Sequence, residues 1–257
     1  MKNIDLSRGM VFVTGGGGSI GRAIAMEASR AGATVAVVDR SLEPALKTVS
    51  DIDANGGRAV ALECNVTNET ALSEAMKTAV SELGPMVGLV TAAAILKTAS
   101  VTEQSEEAWR DMMIVNVEGT FKAIKAAVPH LETSGGAIVT LGSVSAFIGS
   151  NEGVAYTTTK GAVLSMTYAA AGDLARKGIR VNAVSPGWVD GGFTHQAMAT
   201  MDDPDELVAT AKRLHYLGRL ATPTDVANAA VWLLSDQAAF VTGTSLLVDG
   251  GYMINHS

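Results

Sequence analysis

Met10-Val11-Phe12-Val13-Thr14 is a short apolar run that empties into Gly15-Gly16-Gly17-Gly18, and Ser19-Ile20-Gly21 then opens a segment of helical spacing. The run suits a strand buried on both faces. Ile20, Ile24, Ala28 and Ala31 fall on one face of the helix that follows, and Gly32 ends the pattern. Glycines between a strand and a helix allow a tight turn and close backbone approach. The N–H groups and dipole at the helix N-terminus then attract a diphosphate. In a chain with 27 glycines a plain turn is the alternative, but this placement favours a dinucleotide site. On that reading Gly15, Gly17, Gly18, Ser19, Ile20 and Gly21 contact the cofactor.

The same alternation continues outward. Strands are expected at Thr34–Asp39, Ala59–Cys64, Gly88–Ala93, Ala137–Leu141, Ile179–Val184 and Ser245–Val248. Helices are expected at Leu42–Asn55, Thr70–Leu83, Trp109–Leu131, Tyr156–Ala175 and Thr224–Leu234. Such an order implies βαβ units: an α/β fold, a doubly wound parallel sheet of about seven strands with helices on both faces. No repeat, low-complexity tract or linker divides the chain, so one domain is expected over residues 1–257. Gly191-Gly192 interrupts the rhythm and opens a segment to about Leu217 that carries Met198, Met201, Asp202, Asp203, Pro204, Asp205 and Glu206. Paired glycines suit a hinge, and an excursion after a strand's carboxyl end lies near the ligand crevice of an open sheet. A substrate lid is therefore expected at about 191–217, the alternative being a surface helical insertion without a role.

Asp39 ends the second strand, eighteen residues past Gly21. A carboxylate there accepts hydrogen bonds from the adenosine ribose and repels a 2′-phosphate, which favours NAD over NADP. Arg40 can stack on adenine or reach a phosphate; a solvated surface charge is its alternative reading.

Tyr156 and Lys160 are four residues apart on the helix expected from Tyr156, and so share a face. A nearby ammonium favours a phenolate, which predicts a Tyr156 pKa lowered from its reference of about 10. Ser143 lies thirteen residues upstream of Tyr156. A tyrosine tuned in this way exchanges protons with an alcohol or carbonyl. Taken alone, a Tyr-x-x-x-Lys pair more often lies on a solvated helix face.

With 47% hydrophobic and 18% charged residues among 257, the chain has ample core material. A net charge of -7 with no basic stripe argues against nucleic acid as a partner. Cys64 is the only cysteine, so a reducing compartment is expected. The first eight residues show no apolar signal region, and no apolar run reaches the ~18 residues of a membrane helix, so a cytoplasmic protein off the membrane is expected. His130, His195, His215 and His256 are scattered, and no metal site is expected. His195 and His215 read as structural or solvent-facing.

Together these residues resemble the short-chain dehydrogenase/reductase family over about Leu6 to Tyr252. The matching pieces are Thr14–Gly21, Asp39, Asn116 in Ile114-Val115-Asn116-Val117, and Ser143 in Gly142-Ser143-Val144-Ser145. Tyr156 with Lys160, Asn182 to Gly187, Asp225-Val226-Ala227, Val241-Thr242-Gly243 and Asp249-Gly250-Gly251 complete the pattern. The resemblance implies a Rossmann-type fold and Tyr156 as general acid/base. It implies that Ser143 holds the substrate oxygen, that Lys160 binds the nicotinamide ribose, and that Asn116 holds a relay water. It adds Asn65, Val66, Ala92, Ala93, Pro186, Gly187 and Val189 to the cofactor contacts, with Val189 at the carboxamide. Four positions depart from the family pattern. Ser19 replaces a turn glycine, Thr91-Ala92-Ala93-Ala94 replaces Asn-Asn-Ala-Gly, Asn65 replaces an acid, and Gly191 stands where a carboxamide-holding Thr is usual. Asn65 keeps an acceptor oxygen for the adenine amino group, and Thr194 is the candidate substitute for that Thr.

The expected function is NAD-dependent interconversion of a secondary alcohol and a ketone. A non-catalytic NAD-binding sensor or scaffold is the alternative. A nucleotide-sugar epimerase or dehydratase is disfavoured because the chain ends soon after its last strand. Ala93–Leu96, Ser145–Phe147, Asn151, Trp188 and Gly192–Leu217 form the expected substrate lining. Lys97, Lys212 and Arg213 are the only cations near it, which suggests a neutral, medium-sized cyclic or polyol-type alcohol. The resemblance also implies a homotetramer or homodimer. Its contacts would be the long helices bearing Ala162, Met166, Ala169 and Ala170 and the stretch Leu246–Ile254, for which core packing within one subunit is the alternative.

Overall fold

The computed structural model describes residues 4–199 and 203–255; Met201, Asp202 and His256 lie outside them. Seven parallel strands form one sheet in the order β3-β2-β1-β4-β5-β6-β7. They are β1 (Met10–Thr14), β2 (Thr34–Asp39), β3 (Ala59–Glu63), β4 (Met86–Thr91), β5 (Gly136–Leu141), β6 (Ile179–Pro186) and β7 (Ser245–Val248). The chain winds outward from β1 to β3 and then crosses back to β4. The order thus reverses between β1 and β4, and a crevice opens at the carboxyl ends of those two strands.

Residue alternation divides the core. Val11, Val13, Val35 and Val37 face one side of the sheet and join Ile24 and Ala28 of α1 (Ser19–Arg30) with Val226, Ala230 and Leu233 of α9 (Pro223–Leu234). Met10, Phe12, Ala36 and Val38 face the other, with Leu72, Met76 and Ala79 of α3 (Glu69–Leu83). Ala123, Ala127 and Leu131 of α5 (Gly119–Leu131) and Ala171 and Leu174 of α6 (Val154–Leu174) complete that second side. Helix α2 (Leu42–Ala54) adds Ala45 and Ile52 to the first side. Both faces of the sheet are covered, which is why the strands read as continuous apolar runs.

One helix differs from the sequence expectation. The single helix expected at Trp109–Leu131 begins earlier and is broken. Ser105 caps α4 (Glu106–Met112) by accepting from the Ala108 N–H, and a π-helical turn spans Met113–Glu118 before α5. The segment after Gly191-Gly192 is itself helical, with α7 (Phe193–Met198) and α8 (Pro204–Leu214). Asp203 caps α8 through the Glu206 N–H. Among the described residues no helix is long and apolar enough to cross a membrane.

Candidate active site

Thr14, at the end of β1, organises the crevice. Its carbonyl accepts the Ala92 N–H at 3.2 Å, and its hydroxyl lies 3.4 Å from both the Ala93 N–H and the Val90 carbonyl. The departure at Thr91–Ala94 is therefore tied to β1 by backbone bonds. The Thr91 hydroxyl itself is buried without a partner.

The glycine turn is filled by its neighbours. Gly15 has a φ of +65°, and a Cβ on it would lie 2.7 Å from Ala93 backbone. A Cβ on Gly21 would lie 2.1 Å from the Gly15 carbonyl oxygen. Backbone cannot step aside as a flexible side chain can, so Gly21→Ala is expected to cost about 2–3 kcal/mol in denaturant unfolding. Gly16, Gly17 and Gly18 spend their N–H groups on Val38 O, Asp39 Oδ2 and Gly15 O. The turn's donors toward a ligand are thus those of the first turn of α1, at Ser19, Ile20 and Gly21, which have no intrahelical acceptors. Gly18 caps α1 without a side chain, so nothing in the cap competes for them. This donor set and the close-packed turn fit a dinucleotide diphosphate.

Asp39 is half-buried; Oδ2 accepts from Gly17 N at 3.1 Å and Oδ1 from Ser41 N at 3.3 Å. The carboxylate is held at the lip of the crevice, while Arg40 is exposed beside it. Cys64 N–H donates to Asp39 O, which brings Asn65 and Val66 to the same end of the sheet. The Asn65 amide oxygen already accepts the Thr67 N–H at 3.1 Å, so only its second lone pair remains for an adenine amino group.

Ser143, Tyr156, Lys160 and Asn116 converge at the carboxyl ends of β4 and β5. Ser143 caps a short 3₁₀ turn, its Oγ accepting Ser145 N–H at 3.1 Å. Tyr156 and Lys160 project from one face of α6, with Nζ 5.5 Å from the tyrosine ring centre. Lys160 is buried and donates to the Leu141 carbonyl at 2.7 Å. The expected depression of the Tyr156 pKa is not what this geometry gives. Burial pushes the phenol up to about 12, and the hydrogen bond with Ser143 offsets only part of that rise. Burial likewise brings Lys160 down to about 8. Helical spacing predicts proximity; it carries no information about desolvation, which here outweighs it.

Asn116 sits in the π-helical turn at 2% exposure. Its Oδ1 accepts Ile95 N–H at 2.8 Å, and its Nδ2 donates to Ile95 O at 2.9 Å and Thr159 Oγ1 at 3.2 Å. Both amide donors are committed, so the side chain clamps the loop following β4 to α6, a task the resemblance did not imply. Asn116→Ala leaves both Ile95 backbone groups without this partner and is expected to cost about 2–4 kcal/mol of stability in urea unfolding.

The wall opposite is the strap after β6. Gly187 N–H donates to Val248 O, and Val189 is buried beside Ala221. His215 pins this strap. It is 3% exposed, its Nδ1 lies 2.6 Å from Ala211 O, and its Nε2 accepts the Trp188 N–H at 3.2 Å. A Cβ on Gly187 would fall 2.5 Å from that Nε2. His215 is therefore an interior support of the strap after β6, whereas His195 is exposed and bonded to Asp190 at 2.8 Å. Nothing in the spacing of His215 from Trp188 signals this in the sequence. Thr194 is buried in the first turn of α7, and the Phe193 ring meets Tyr156 edge-on at 6.0 Å and 87°. Of the expected lining, Asn151 and Phe147 are exposed, while Ala93–Leu96, Ser145, Ala146 and Trp188 are half-buried. Lys97 pairs with Asp111, and Arg213 with Glu206.

The model of a protein family described as enoyl-(acyl carrier protein) reductase matches residues 16–253. The chain is 39% identical to 2-(S)-hydroxypropyl-CoM dehydrogenase 3 of Xanthobacter autotrophicus, over 96% of this chain and 97% of that one. It is 43% identical to the inactive 2-(S)-hydroxypropyl-CoM dehydrogenase 2 of the same organism, over 89% and 98%. A cyclohexanol dehydrogenase of Acinetobacter sp. is 36% identical over 95% and 94%. The crystal structure of a presumed short-chain alcohol dehydrogenase from Sinorhizobium meliloti 1021 superposes with a TM-score of 0.91 at 32% identity, covering 98% of both chains. With its reversed parallel sheet, glycine turn and converging Ser143, Tyr156 and Lys160, the chain belongs to the short-chain dehydrogenase/reductase family and is an NAD(P)-dependent oxidoreductase of CH–OH groups.

Proposed function

We propose that the chain uses NAD to interconvert a neutral, medium-sized cyclic secondary alcohol and its ketone, with Tyr156 as general acid/base. The observation that carries this reading is the convergence of Ser143 and Lys160 on the Tyr156 phenol. The bound dinucleotide supplies the hydride acceptor in oxidation and the donor in reduction. Tyr156 Oη takes the proton from the alcohol oxygen, or returns it to the carbonyl oxygen. Ser143 Oγ holds that oxygen in place, and Ser145 N–H fixes the orientation of Ser143. Lys160, anchored on Leu141 O, is the cation placed to stabilise the phenolate and to hold ribose hydroxyls.

The preference for NAD rests on Asp39, and the turn residues Gly15, Gly17, Gly18, Ser19, Ile20 and Gly21 hold the diphosphate. Asn65, Val66, Ala92, Ala93, Pro186, Gly187 and Val189 line the remainder of the cofactor crevice. A neutral substrate agrees with the acidic partners of Lys97 and Arg213 and with the cyclohexanol dehydrogenase relative. The test is NADH formation from cyclohexanol and cyclopentanol, with 2-(S)-hydroxypropyl-CoM as the comparison. A preference for the last by more than about tenfold, or no turnover of cyclic alcohols, would overturn the substrate assignment.

The pH dependence has a definite sign. Oxidation needs Tyr156 deprotonated, and burial holds its pKa at about 12, so kcat/KM for the alcohol rises with pH from neutrality without levelling before about 12, loss of the Lys160 charge above about 8 opposing the rise. Ketone reduction needs the protonated phenol and does not share that rise. Rate profiles in both directions check this, and parallel profiles would remove Tyr156 as the titrating group.

Self-association as a homotetramer or homodimer fits exposed Phe121 on α5, Tyr168 on α6, and Leu247 and Ile254 near the C-terminus. Light scattering should give two or four times the 26.4 kDa subunit mass, and Phe121→Glu should reduce it. A cytoplasmic location fits the buried, unbridged Cys64.

A further inference from the structure

Two of the four departures from the family pattern meet in space. Ser19 is the first residue of α1, and Gly191 is the first glycine after the strap. A Cβ on Gly191 would lie 2.4 Å from Ser19 Oγ and 3.2 Å from Ser19 Cβ. A Cβ on Gly192 would lie 3.7 Å from Ser19 Cβ. Bulk has thus been exchanged: where the pattern has a small turn residue and a larger strap residue, this chain has the reverse. Gly191 and Gly192 have φ values of +144° and +50°, which side-chain-bearing residues rarely adopt. The very next residue, Phe193, begins α7 and lies edge-on to Tyr156. On the other side, Asp190 N–H is fixed to Ala221 O. A continuous line of contact therefore runs from the first turn of α1 through Ser19, Gly191 and Phe193 to the tyrosine.

We propose that Ser19 and Gly191 act as one complementary pair that seats the start of α7 on the diphosphate turn, so that dinucleotide binding positions Phe193 against Tyr156. Ser19 is then a positioning residue, and its contribution to turnover passes through α7. This rests on the dinucleotide and acid/base roles proposed above.

The test compares the parent protein with Ser19→Gly, Gly191→Thr and the double variant. Three quantities are read: NAD affinity by calorimetry, hydrogen–deuterium exchange of residues 193–198 with and without NAD, and the split between KM and kcat. In the parent, NAD slows exchange of 193–198. In Ser19→Gly, read at saturating NAD so that any change in affinity does not enter, that protection falls by about tenfold, and substrate KM rises more than kcat falls. Gly191→Thr loses the protection, and adding Ser19→Gly restores the part lost to the clash with the Ser19 side chain, while the strain of a threonine at φ +144° remains. Exchange of 193–198 indifferent to NAD in the parent would overturn the proposal. So would two single effects that simply multiply in the double variant, or a Ser19→Gly effect confined to NAD affinity. If NAD binds but no alcohol is turned over, only the substrate reading fails, and the exchange measurements still decide. If neither NAD nor NADP binds, the cofactor reading and this pairing fall together.

Discussion

Tyr156→Phe should lower kcat for alcohol oxidation by about 10³–10⁴-fold and leave NAD affinity within about threefold of the parent. The substitution removes one oxygen. The ring, its edge-on contact with Phe193 and the Lys160 ammonium over its face are all retained. Removing the phenol relieves a desolvated polar group and also takes away the hydrogen bond with Ser143, so the two offset and stability should stay within about 1 kcal/mol of the parent. Lost turnover with little change in stability is the signature of a proton-transfer group. A comparable fall in NAD affinity would show that the tyrosine acts mainly through the cofactor. Retained turnover would remove it from the chemistry altogether.

The second large effect concerns Asp39. Asp39→Asn keeps an oxygen to accept the Gly17 N–H and removes the negative charge. A carboxylate beside a 2′-phosphate is a like-charge contact worth several kcal/mol. The ratio of kcat/KM for NAD over NADP should therefore fall by about 10²-fold, most of it through improved use of NADP. Because the turn keeps its internal bond, stability should change by less than about 1 kcal/mol, whereas Asp39→Ala also loses the turn's acceptor and should cost more. Steady-state rates with both dinucleotides check the ratio. An unchanged ratio would mean that Asp39 serves only as a brace for the turn.

The strands were legible because β1, β2, β4, β5 and β6 are largely buried on both faces and so appear as apolar runs, and the glycine turn marks where the first of them ends. The proximity of Tyr156 and Lys160 was legible because a spacing of four is a local property of a helix. What stayed hidden is tertiary. Ser19 and Gly191 read as two unrelated departures because nothing along the chain says that positions so distant touch. His215 reads as any lone histidine until the fold places Trp188 N–H against it. The direction of the Tyr156 shift was missed because desolvation depends on what the fold packs around a side chain and is no function of its nearest neighbours along the chain. The Trp109–Leu131 pattern continues smoothly through Met113–Glu118, so periodicity alone gave no hint of the π turn.

That turn has a consequence for how the chain could change. A π turn holds one residue more than a regular helix of the same rise, and each residue turns the helix by about 100°. Deleting a single residue between Met113 and Glu118 would restore an unbroken ladder from α4 into α5. It would also swing Asn116 away from Ile95 and Thr159, freeing the loop that follows β4 from α6 next to Lys160. Shortening the chain here would improve the helix and undo the site, so the surplus residue is kept by its aim and not by its contribution to the fold.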